Sequence, residues 1–386
     1  MVFLLVFFIF SSIFVSAILP SRMHWGWKAV WSVLTLFAAG KFQILKWFGG
    51  PMYFAPNFSN GVLWILSLLF VTVFILMFLL IPVDCVRVAY WFFRVCHGKK
   101  PSQKFWQFGD RIHLGLLIVA VILALWGMMN GAKLPEVKEQ VIEMNDFPPD
   151  EPEVTIAVLS DLHVDKKFGY PQMTQIVAAV NRLKPDLIVL LGDCVDGRIE
   201  DRGHDLEPLK VLSAPLGVYG VPGNHEYYSG YYPWMKFFSS LGVDMLVNEH
   251  VSLGATNLVL VGVTDAEARS WGYEGPDLEK AMRNVPVKVP VILLSHRPSI
   301  AKEAAKFGVD LQLSGHTHGG MLPGLQKIVA KFNGGFVSGL YTVGTMNLYV
   351  SNGTGVWNGF PVRLAVPAEI TLLRLRGKDK GLLVGE

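Results

Sequence analysis

Residues 309–320 read VDLQLSGHTHGG, an apolar run that leads into two histidines flanked by glycines. The run 309–313 is short, largely aliphatic and bounded by glycines, a pattern that predicts a buried strand. His316 and His318 then follow the carboxyl end of that strand, where open α/β sheets usually bind their ligands. Because His-x-His pairs are also common as hydrogen-bonded surface, the pair alone does not establish a metal site.

Apolar runs of strand length alternate with amphipathic stretches from residue 154 onwards. This alternation predicts a layered α/β domain in which helices cover buried sheets. The predicted strands are 154–159, 186–191, 217–221, 258–263, 289–294, 311–313 and 348–351, and the predicted helices are 171–183, 205–212, 232–241, 277–283 and 299–307.

Four of the other predicted strands also end in side chains that can bind a metal. Each of these residues alone could cap a helix or make a turn. Together, at one edge of the sheets, the carboxylates, amide and imidazoles form a set of donors suited to Mg²⁺, Mn²⁺, Fe or Zn²⁺. The strand ends carry Asp161 and His163, Asp193 and Asp196, Asn224 and His225, and His296 and Arg297.

The order and spacing of these residues resemble the signature of the calcineurin-like metallophosphoesterases. The matching fragments are Asp161-x-His163, Gly192-Asp193-x-x-Asp196, Gly223-Asn224-His225-Glu226, His296 and Gly315-His316-x-His318. The resemblance covers about residues 135–375 and implies an αββα sandwich, here in a membrane-anchored, bacterial-type member of the family.

The resemblance also implies a role for each residue. Asp161, His163 and His318 would hold one metal, Asn224, His296 and His316 the second, and Asp193 would bridge the two. His225 would protonate the leaving oxygen or stabilise the transition state, with Asp196 orienting it. The cofactors would be two divalent ions, with manganese favoured and zinc, iron or magnesium as alternatives, and a metal-activated water would cleave a phosphoester or pyrophosphate bond.

Substrate contacts are less well defined by the sequence. Arg297 follows a predicted ligand and could bind substrate phosphate through its planar guanidinium, but a solvated surface arginine fits the pattern equally well. Met321 and Asn352 differ from the residues that many relatives carry, glutamine and arginine respectively. These two departures leave the predicted metal ligands intact and put only the substrate contacts in question.

The amino-terminal third of the chain is the most apolar part of a sequence with 52% hydrophobic residues. Segments 1–19, 61–83 and 112–132 are each about long enough to cross a ~30 Å hydrocarbon core as helices. Segment 1–19 could instead be a signal peptide, but it lacks a basic start and a clear cleavage site. Segment 27–48 either crosses the membrane or lies in its interface, because lysines surround its apolar centre.

The connection 84–111 is the most basic flank of any predicted span. Its basic residues are Arg87, Arg94, Lys99, Lys100, Lys104 and Arg111. The positive-inside rule then predicts a cytoplasmic connection, and one further crossing would deliver the rest of the chain to the extracytoplasmic side of a plasma (inner) membrane. The net charge of +3 includes no basic block that would indicate a nucleic-acid partner.

These observations predict three regions: a transmembrane region 1–132 of three to four helices, a linker with an edge strand at 133–153, and a catalytic domain at 154–386. The function expected is that of a membrane-anchored, dinuclear metal-dependent phosphohydrolase. A phospholipid or lipid-linked nucleotide diphosphate is one substrate class compatible with the anchor. A non-catalytic membrane scaffold or sensor with a retained phosphoesterase fold is the alternative.

Overall fold

The computed structural model describes residues 2–50, 52, 54–100, 109–144, 147, 151–254 and 256–378. The chain divides into two compact units. The first comprises Met1–Asn130 together with Gly359–Val362, and the second comprises Gly131–Asn358 and Arg363–Glu386.

Between residues 2 and 130, the described part of the first unit is mainly helical. Of the three spans predicted with fixed bounds, the second and third correspond to Asn60–Cys96 and Arg111–Gly131, two helices long and apolar enough to cross a membrane. The first predicted span contains a shorter apolar helix, Phe3–Ile18, and segment 27–48 is divided at Gly40. The helices are Val2–Ile13, continued by the π-helix Phe14–Ile18, then Trp25–Ala39, Lys41–Phe48, Asn60–Cys96 and Gly109–Gly131.

The predicted connection starting at residue 84 is wrong in extent, because the helix Asn60–Cys96 continues through Pro82 and well past this point. Arg87 is therefore a buried helical residue, with Nη1 3.4 Å from Asp84 Oδ1 and Nη2 3.1 Å from His113 Nε2. A buried charge needs such partners because it has lost its water. Residues 101–108, including Lys104 of the predicted connection, lie outside the described residues.

Gly359–Val362 belongs to the first unit because it packs among the apolar helices. Lys41, which is buried, donates from Nζ to the carbonyl oxygen of Gly359 at 2.9 Å and to Ser67 Oγ at 3.0 Å. The ring of Phe360 lies 5.1 Å from that of Phe74. The ammonium group is thus solvated by protein oxygens within an apolar environment.

The second unit contains two six-stranded sheets. The first has the order β1-β12-β2-β3-β4-β5 and the second the order β10-β11-β9-β8-β7-β6. The strands are β1 Glu136–Met144, β2 Val154–Leu159, β3 Leu187–Leu190, β4 Val218–Gly220, β5 Asp244–Met245, β6 Glu249–Ser252, β7 Val259–Gly262, β8 Val291–Leu294, β9 Leu311–Ser314, β10 Gly339–Val343, β11 Met346–Val350 and β12 Glu369–Gly377.

Helices and short helical turns connect these strands. The α-helices are Tyr170–Leu183, Ile199–Leu206, Asn224–Ser229, Tyr231–Ser240, Leu278–Ala281, Ala301–Ala304 and Gln326–Phe332, and the 3₁₀ turns are Glu207–Val211, Ala266–Trp271, Pro298–Ile300, Ala305–Phe307 and His318–Gly320.

Side-chain alternation along the strands produces the layers. In β2, Ile156 and Val158 face a core shared with Leu294 and Leu313 of the second sheet. Their neighbours on the opposite face of β2 pack instead in the cluster that contains Trp234 and the helix Tyr170–Leu183. Because successive strand side chains point to opposite faces, a strand buried on both faces is apolar throughout. The predicted αββα sandwich is confirmed.

The strand ends are aligned where the ligand residues follow. Leu159 of β2 pairs with Leu190 of β3, and Leu190 pairs with Gly220 of β4. In the second sheet, Leu294 of β8 pairs with Leu313 of β9. All of these pairs are parallel, so the loops that follow the strands emerge at a common edge of each sheet.

Candidate metal centre

Three of the predicted ligands form one group of converging donors. Asp161 and His163 follow β2, whereas His318 follows β9, and all three are buried with ligand atoms within 4.8 Å of one another. The Nε2 atoms of His163 and His318 are 3.1 Å apart, and His318 Nε2 is 3.7 Å from Asp161 Oδ1. The structure thus brings together residues separated by about 155 positions.

A second group contains Asp193, His296 and His316, with the same 4.8 Å limit between ligand atoms. His316 Nδ1 lies 3.1 Å from His296 Nε2, which in turn lies 3.3 Å from Asp193 Oδ2. Asn224, the remaining predicted ligand, is buried, and its Oδ1 accepts a hydrogen bond from Arg297 Nη2 at 3.1 Å.

Asp193 faces both groups through one oxygen. Its Oδ2 is 3.3 Å from His296 Nε2 and 3.8 Å from His163 Nε2. The donor chemistry fits two divalent ions, since buried imidazole nitrogens and carboxylate oxygens converge on either side of a shared carboxylate. Six of the seven predicted ligands lie in these two groups, and Asn224 is the exception.

A backbone carbonyl fixes the ring orientation of His296. Its Nδ1 lies 2.7 Å from the carbonyl oxygen of Leu191. Since a carbonyl can only accept, Nδ1 carries the hydrogen, and the lone pair of a neutral ring lies on Nε2, facing Asp193. The strand-end carbonyl of the first sheet therefore fixes the orientation of a ligand from the second sheet.

The backbone is strained at most of the predicted ligands. Asp161, His163, Asp193, His316 and His318 all have positive φ, between 45° and 71°. Non-glycine residues adopt this left-handed region rarely, and strain of this kind concentrates at functional sites. The strained turns direct several side chains from different loops towards a common point.

Close packing explains the glycine before the His-x-His pair. A Cβ at Gly315 would collide with the side chains of Ser160 and Asp161. The backbone N–H of His316 can then approach Asp161 and donates to its Oδ2 at 3.0 Å. The glycine allows the two loops to meet without intervening side-chain bulk.

Asp196 contacts two histidines through the same oxygen. Its Oδ1 is hydrogen-bonded to His225 Nδ1 and lies 3.2 Å from His163 Nδ1. Burial favours the neutral ring, but the carboxylates of Asp196 and Asp193 outweigh it and raise the pKa of His225 to about 9. The neighbouring carboxylates thus favour the doubly protonated, imidazolium form of His225, and its Nε2 lies 3.9 Å from Asp193 Oδ2.

The pKa values of two predicted ligands, Asp193 and His318, are both lowered, with opposite effects on their charge. Burial raises the pKa of Asp193, but the neighbouring His296 and His225 more than offset it and hold the pKa well below its usual range. Burial lowers the pKa of His318 well below its usual range, and the nearby positive charge of Arg363 lowers it further. One group is thus kept anionic and the other neutral, and both of these states can bind a cation.

Arg297 is bonded within the protein. Its Nε donates to Asp265 Oδ2 at 2.8 Å and its Nη2 donates to Asn224 Oδ1. The side chain is 29% exposed and contacts the predicted ligand Asn224. Asp265, which fixes the arginine, was not identified from the sequence.

Glu226 belongs to a matching sequence fragment, but sequence reasoning assigned it no role. Its buried carboxylate accepts from the backbone N–H groups of Asp193 at 2.9 Å, Cys194 at 2.7 Å and Gly223 at 2.7 Å. It therefore joins the loop after β3 to the loop after β4. Glu226 is the third residue of the helix Asn224–Ser229 and accepts from the N–H of the preceding Gly223, which is the glutamate half of a capping box and a signal that could have identified it.

Arg363 is a further residue to which sequence reasoning assigned no role. It donates from Nη1 to the carbonyl oxygens of His318 at 3.0 Å and Asn352 at 2.6 Å, and from Nη2 to that of Gly355 at 2.6 Å. A buried charge costs free energy unless it is bonded in this way. A single arginine within the apolar run 359–368 was the available signal.

Aromatic rings border His225. The ring of Tyr228 lies 5.1 Å from the imidazole and that of Trp357 lies 6.3 Å from it. Trp271 continues this surface, with its ring 6.0 Å from that of Tyr228.

The comparisons with known proteins agree with the geometry of the site. The family model described as Calcineurin-like phosphoesterase matches residues 154–320. An "Uncharacterized metallophosphoesterase" of Helicobacter pylori is 37% identical over 287 residues, which cover 74% of this chain and 74% of that protein. One of Aquifex aeolicus is 33% identical, over 68% of this chain and 99% of that protein.

A further relative is named as a transmembrane protein. A "Transmembrane protein with metallophosphoesterase domain" of Danio rerio is 35% identical over 271 residues, which cover 67% of this chain. The alignment spans 62% of that relative's own length. The similarity is therefore to part of that protein.

Proposed function

The chain belongs to the calcineurin-like phosphoesterases, and we propose that it is a membrane-anchored hydrolase of phosphoester or pyrophosphate bonds that depends on two divalent metal ions. The observation that carries the proposal is the position of Asp193 Oδ2, 3.3 Å from His296 Nε2 and 3.8 Å from His163 Nε2. A shared carboxylate between two groups of imidazoles suits a dinuclear site.

In this proposal each metal has its own ligands besides Asp193. One would be held by Asp161, His163 and His318, and the other by Asn224, His296 and His316. When bound, the ions polarise the phosphoryl oxygen and activate a water for attack. Manganese suits this mixture of carboxylate, amide and imidazole donors, and zinc, iron and magnesium are also compatible with it.

His225 supplies the proton for the leaving oxygen. Its Nδ1 is occupied by Asp196, so the proton available for transfer is on Nε2, the atom 3.9 Å from Asp193 Oδ2. Asp196 stabilises the imidazolium and fixes the ring. Arg297 binds a non-bridging phosphate oxygen in this scheme, with Asp265 holding its guanidinium in place.

The amino-terminal helices are the proposed membrane anchor, in a plasma (inner) membrane, with the catalytic domain on the extracytoplasmic side. Arg94, Lys99 and Lys100 near the end of the helix Asn60–Cys96 support a cytoplasmic end there. A reporter enzyme fused after Glu386 tests the orientation. Reporter activity confined to the cytoplasm would overturn it.

The experiment that tests the reaction uses full-length protein purified in detergent. We expect hydrolysis of bis(p-nitrophenyl) phosphate or p-nitrophenyl phosphate with Mn²⁺, and loss of turnover in Asp193→Ala and in His318→Ala. Asp244→Ala removes an exposed carboxylate of the same unit and should keep full activity. Full activity in the Asp193 and His318 variants would refute the proposal, and absence of bound metal would favour the scaffold or sensor.

A further inference from the structure

The helix Gln326–Phe332 exposes two large apolar side chains beside the site. Ile328 is 50% exposed and Phe332 is 79% exposed. Their spacing of four residues places them on the same side of the helix. Single exposed apolar residues are ordinary on protein surfaces, so the pair requires a second observation before it indicates a partner.

The second observation is charge. Lys327 and Lys331 are exposed on the same helix, also four residues apart. No aspartate or glutamate occurs anywhere between residues 311 and 368. The surface therefore combines an apolar edge with positive charge, the pattern that binds an anionic bilayer, whose phosphates attract lysines while acyl chains receive apolar side chains.

The helix begins against the proposed metal ligands. Gly320 lies two residues after His318, and a Cβ added to it would lie 3.0 Å from the Cα of Gln326. The helix has 7 residues, and at 1.5 Å per residue such a helix is about 10 Å long. Ile328 and Phe332 are thus close to the site on the scale of a lipid headgroup.

The segment 321–338, which contains this helix, is also fixed to the site at its carboxyl end. Thr317 Oγ1 donates to the carbonyl oxygen of Val337 at 2.7 Å, and Ser338 Oγ donates to Asn352 Oδ1 at 2.6 Å. Thr317 lies between His316 and His318 in the sequence. The segment 321–338 therefore leaves the metal centre and returns to it, and the exposed helix lies between these attachments.

We propose that the helix Gln326–Phe332 lies in the headgroup layer of an anionic bilayer and presents lipid phosphates to the site. Ile328 and Phe332 face the acyl chains, and Lys327 and Lys331 face the phosphates. This inference rests on the proposed function for the reaction and adds to it a substrate class, a phosphorylated lipid that remains in the membrane during cleavage.

Contact with the bilayer can be measured without any enzymatic activity. In the full-length protein, Cys85→Ser and Cys96→Ser first remove the exposed cysteines. Ile328→Cys then provides the attachment point for a fluorophore. The labelled protein is placed in phosphatidylglycerol nanodiscs. Brominated acyl chains should quench this label. The matched control is Val211→Cys, since Val211 is 64% exposed and precedes β4, at the opposite edge of the sheet.

Quenching at residue 328 no greater than at residue 211 would overturn the proposal. Loss of quenching, together with a nanodisc that contains two copies of the protein instead of one, would also overturn the proposal. It would show that Ile328 and Phe332 contact a second copy of the chain. Replacing the anionic lipid by phosphatidylcholine should reduce quenching at residue 328, because the lysines then lose their anionic partners.

The substrate class is tested with two diesters that share a leaving group. One is hexadecyl p-nitrophenyl phosphate in the bilayer, and the other is soluble bis(p-nitrophenyl) phosphate. Phe332→Glu should lower turnover of the bilayer diester about tenfold and leave that of the soluble diester unchanged. Equal losses on both diesters, or no loss on either, would overturn the inference. If the parent protein cleaves neither diester nor p-nitrophenyl phosphate, the proposed reaction fails, whereas the quenching result still decides the bilayer contact.

Discussion

Arg363 donates a hydrogen bond from Nη1 to the backbone carbonyl oxygen of His318 at 3.0 Å, although the residues are 45 positions apart. Arg363 is 1% exposed, and its guanidinium also binds the carbonyl oxygens of Asn352 and Gly355. The planar group joins the turn of a proposed metal ligand to the loop that follows β11. Arg363 is thus a positioning residue for His318 rather than a ligand.

Replacing Arg363 by lysine should weaken binding of one metal ion. Lysine cannot reproduce three hydrogen bonds in a fixed plane, and loss of groups that orient a ligand typically weakens metal binding about 10- to 100-fold. Elemental analysis after removal of free metal should show loss from one of two sites. Arg376→Lys changes an exposed arginine as the control, and two tightly bound ions in Arg363→Lys would contradict the assigned role.

Replacing His225 by alanine should slow hydrolysis by a factor that depends on the leaving group of the substrate. The proton on Nε2 matters most when the leaving oxygen is strongly basic, so an alkyl ester should lose about 10²- to 10⁴-fold in turnover. A p-nitrophenyl ester should lose much less, since its phenolate leaves without protonation. Rates for a series of aryl and alkyl esters measure this dependence, and an equal loss across the series would exclude His225 as the acid.

Replacing Glu226 by glutamine should destabilise the second unit. The carboxylate accepts hydrogen bonds from three backbone N–H groups. The amide nitrogen of glutamine is itself a donor, so it cannot accept from these groups. Each buried group left unpaired costs about 1–3 kcal/mol. Thermal unfolding of the detergent-purified protein should show a lower Tm, whereas Glu279→Gln, at an exposed position, should not change it. Equal Tm values for the two variants would refute the structural role of Glu226.

Removing divalent metal should lower the thermal stability of the protein. Ions that bind only the folded chain stabilise it by about 2.7 kcal/mol when their free concentration is 100 times Kd. The proposed ligands follow strands of both sheets, so bound ions would link the two sheets. Chelation should therefore reduce Tm, and added Mn²⁺ should restore it. Asp193→Ala should respond weakly to both treatments, and a response like that of the parent protein would argue against a shared carboxylate.

Much of the second unit could be predicted from local pattern. Seven predicted strands correspond to β2, β3, β4, β7, β8, β9 and β11, because buried strands are short apolar runs. β12 was not predicted as a strand. Its largely aliphatic sequence is compatible with a strand. It lies between β1 and β2, pairing parallel with the first and antiparallel with the second, and no local pattern identifies partners so distant in sequence.

The sequence by itself determined the fold class and the donors available to a metal, since strand periodicity and residues after strand ends are local properties of the chain. Only the tertiary structure decided which donors meet. It placed Asp193 Oδ2 between His296 and His163, and it assigned Glu226 and Arg363 to the backbone around the proposed ligands. Those contacts depend on strand register and on the need of buried polar groups for partners, and both are satisfied only when the two sheets pack together.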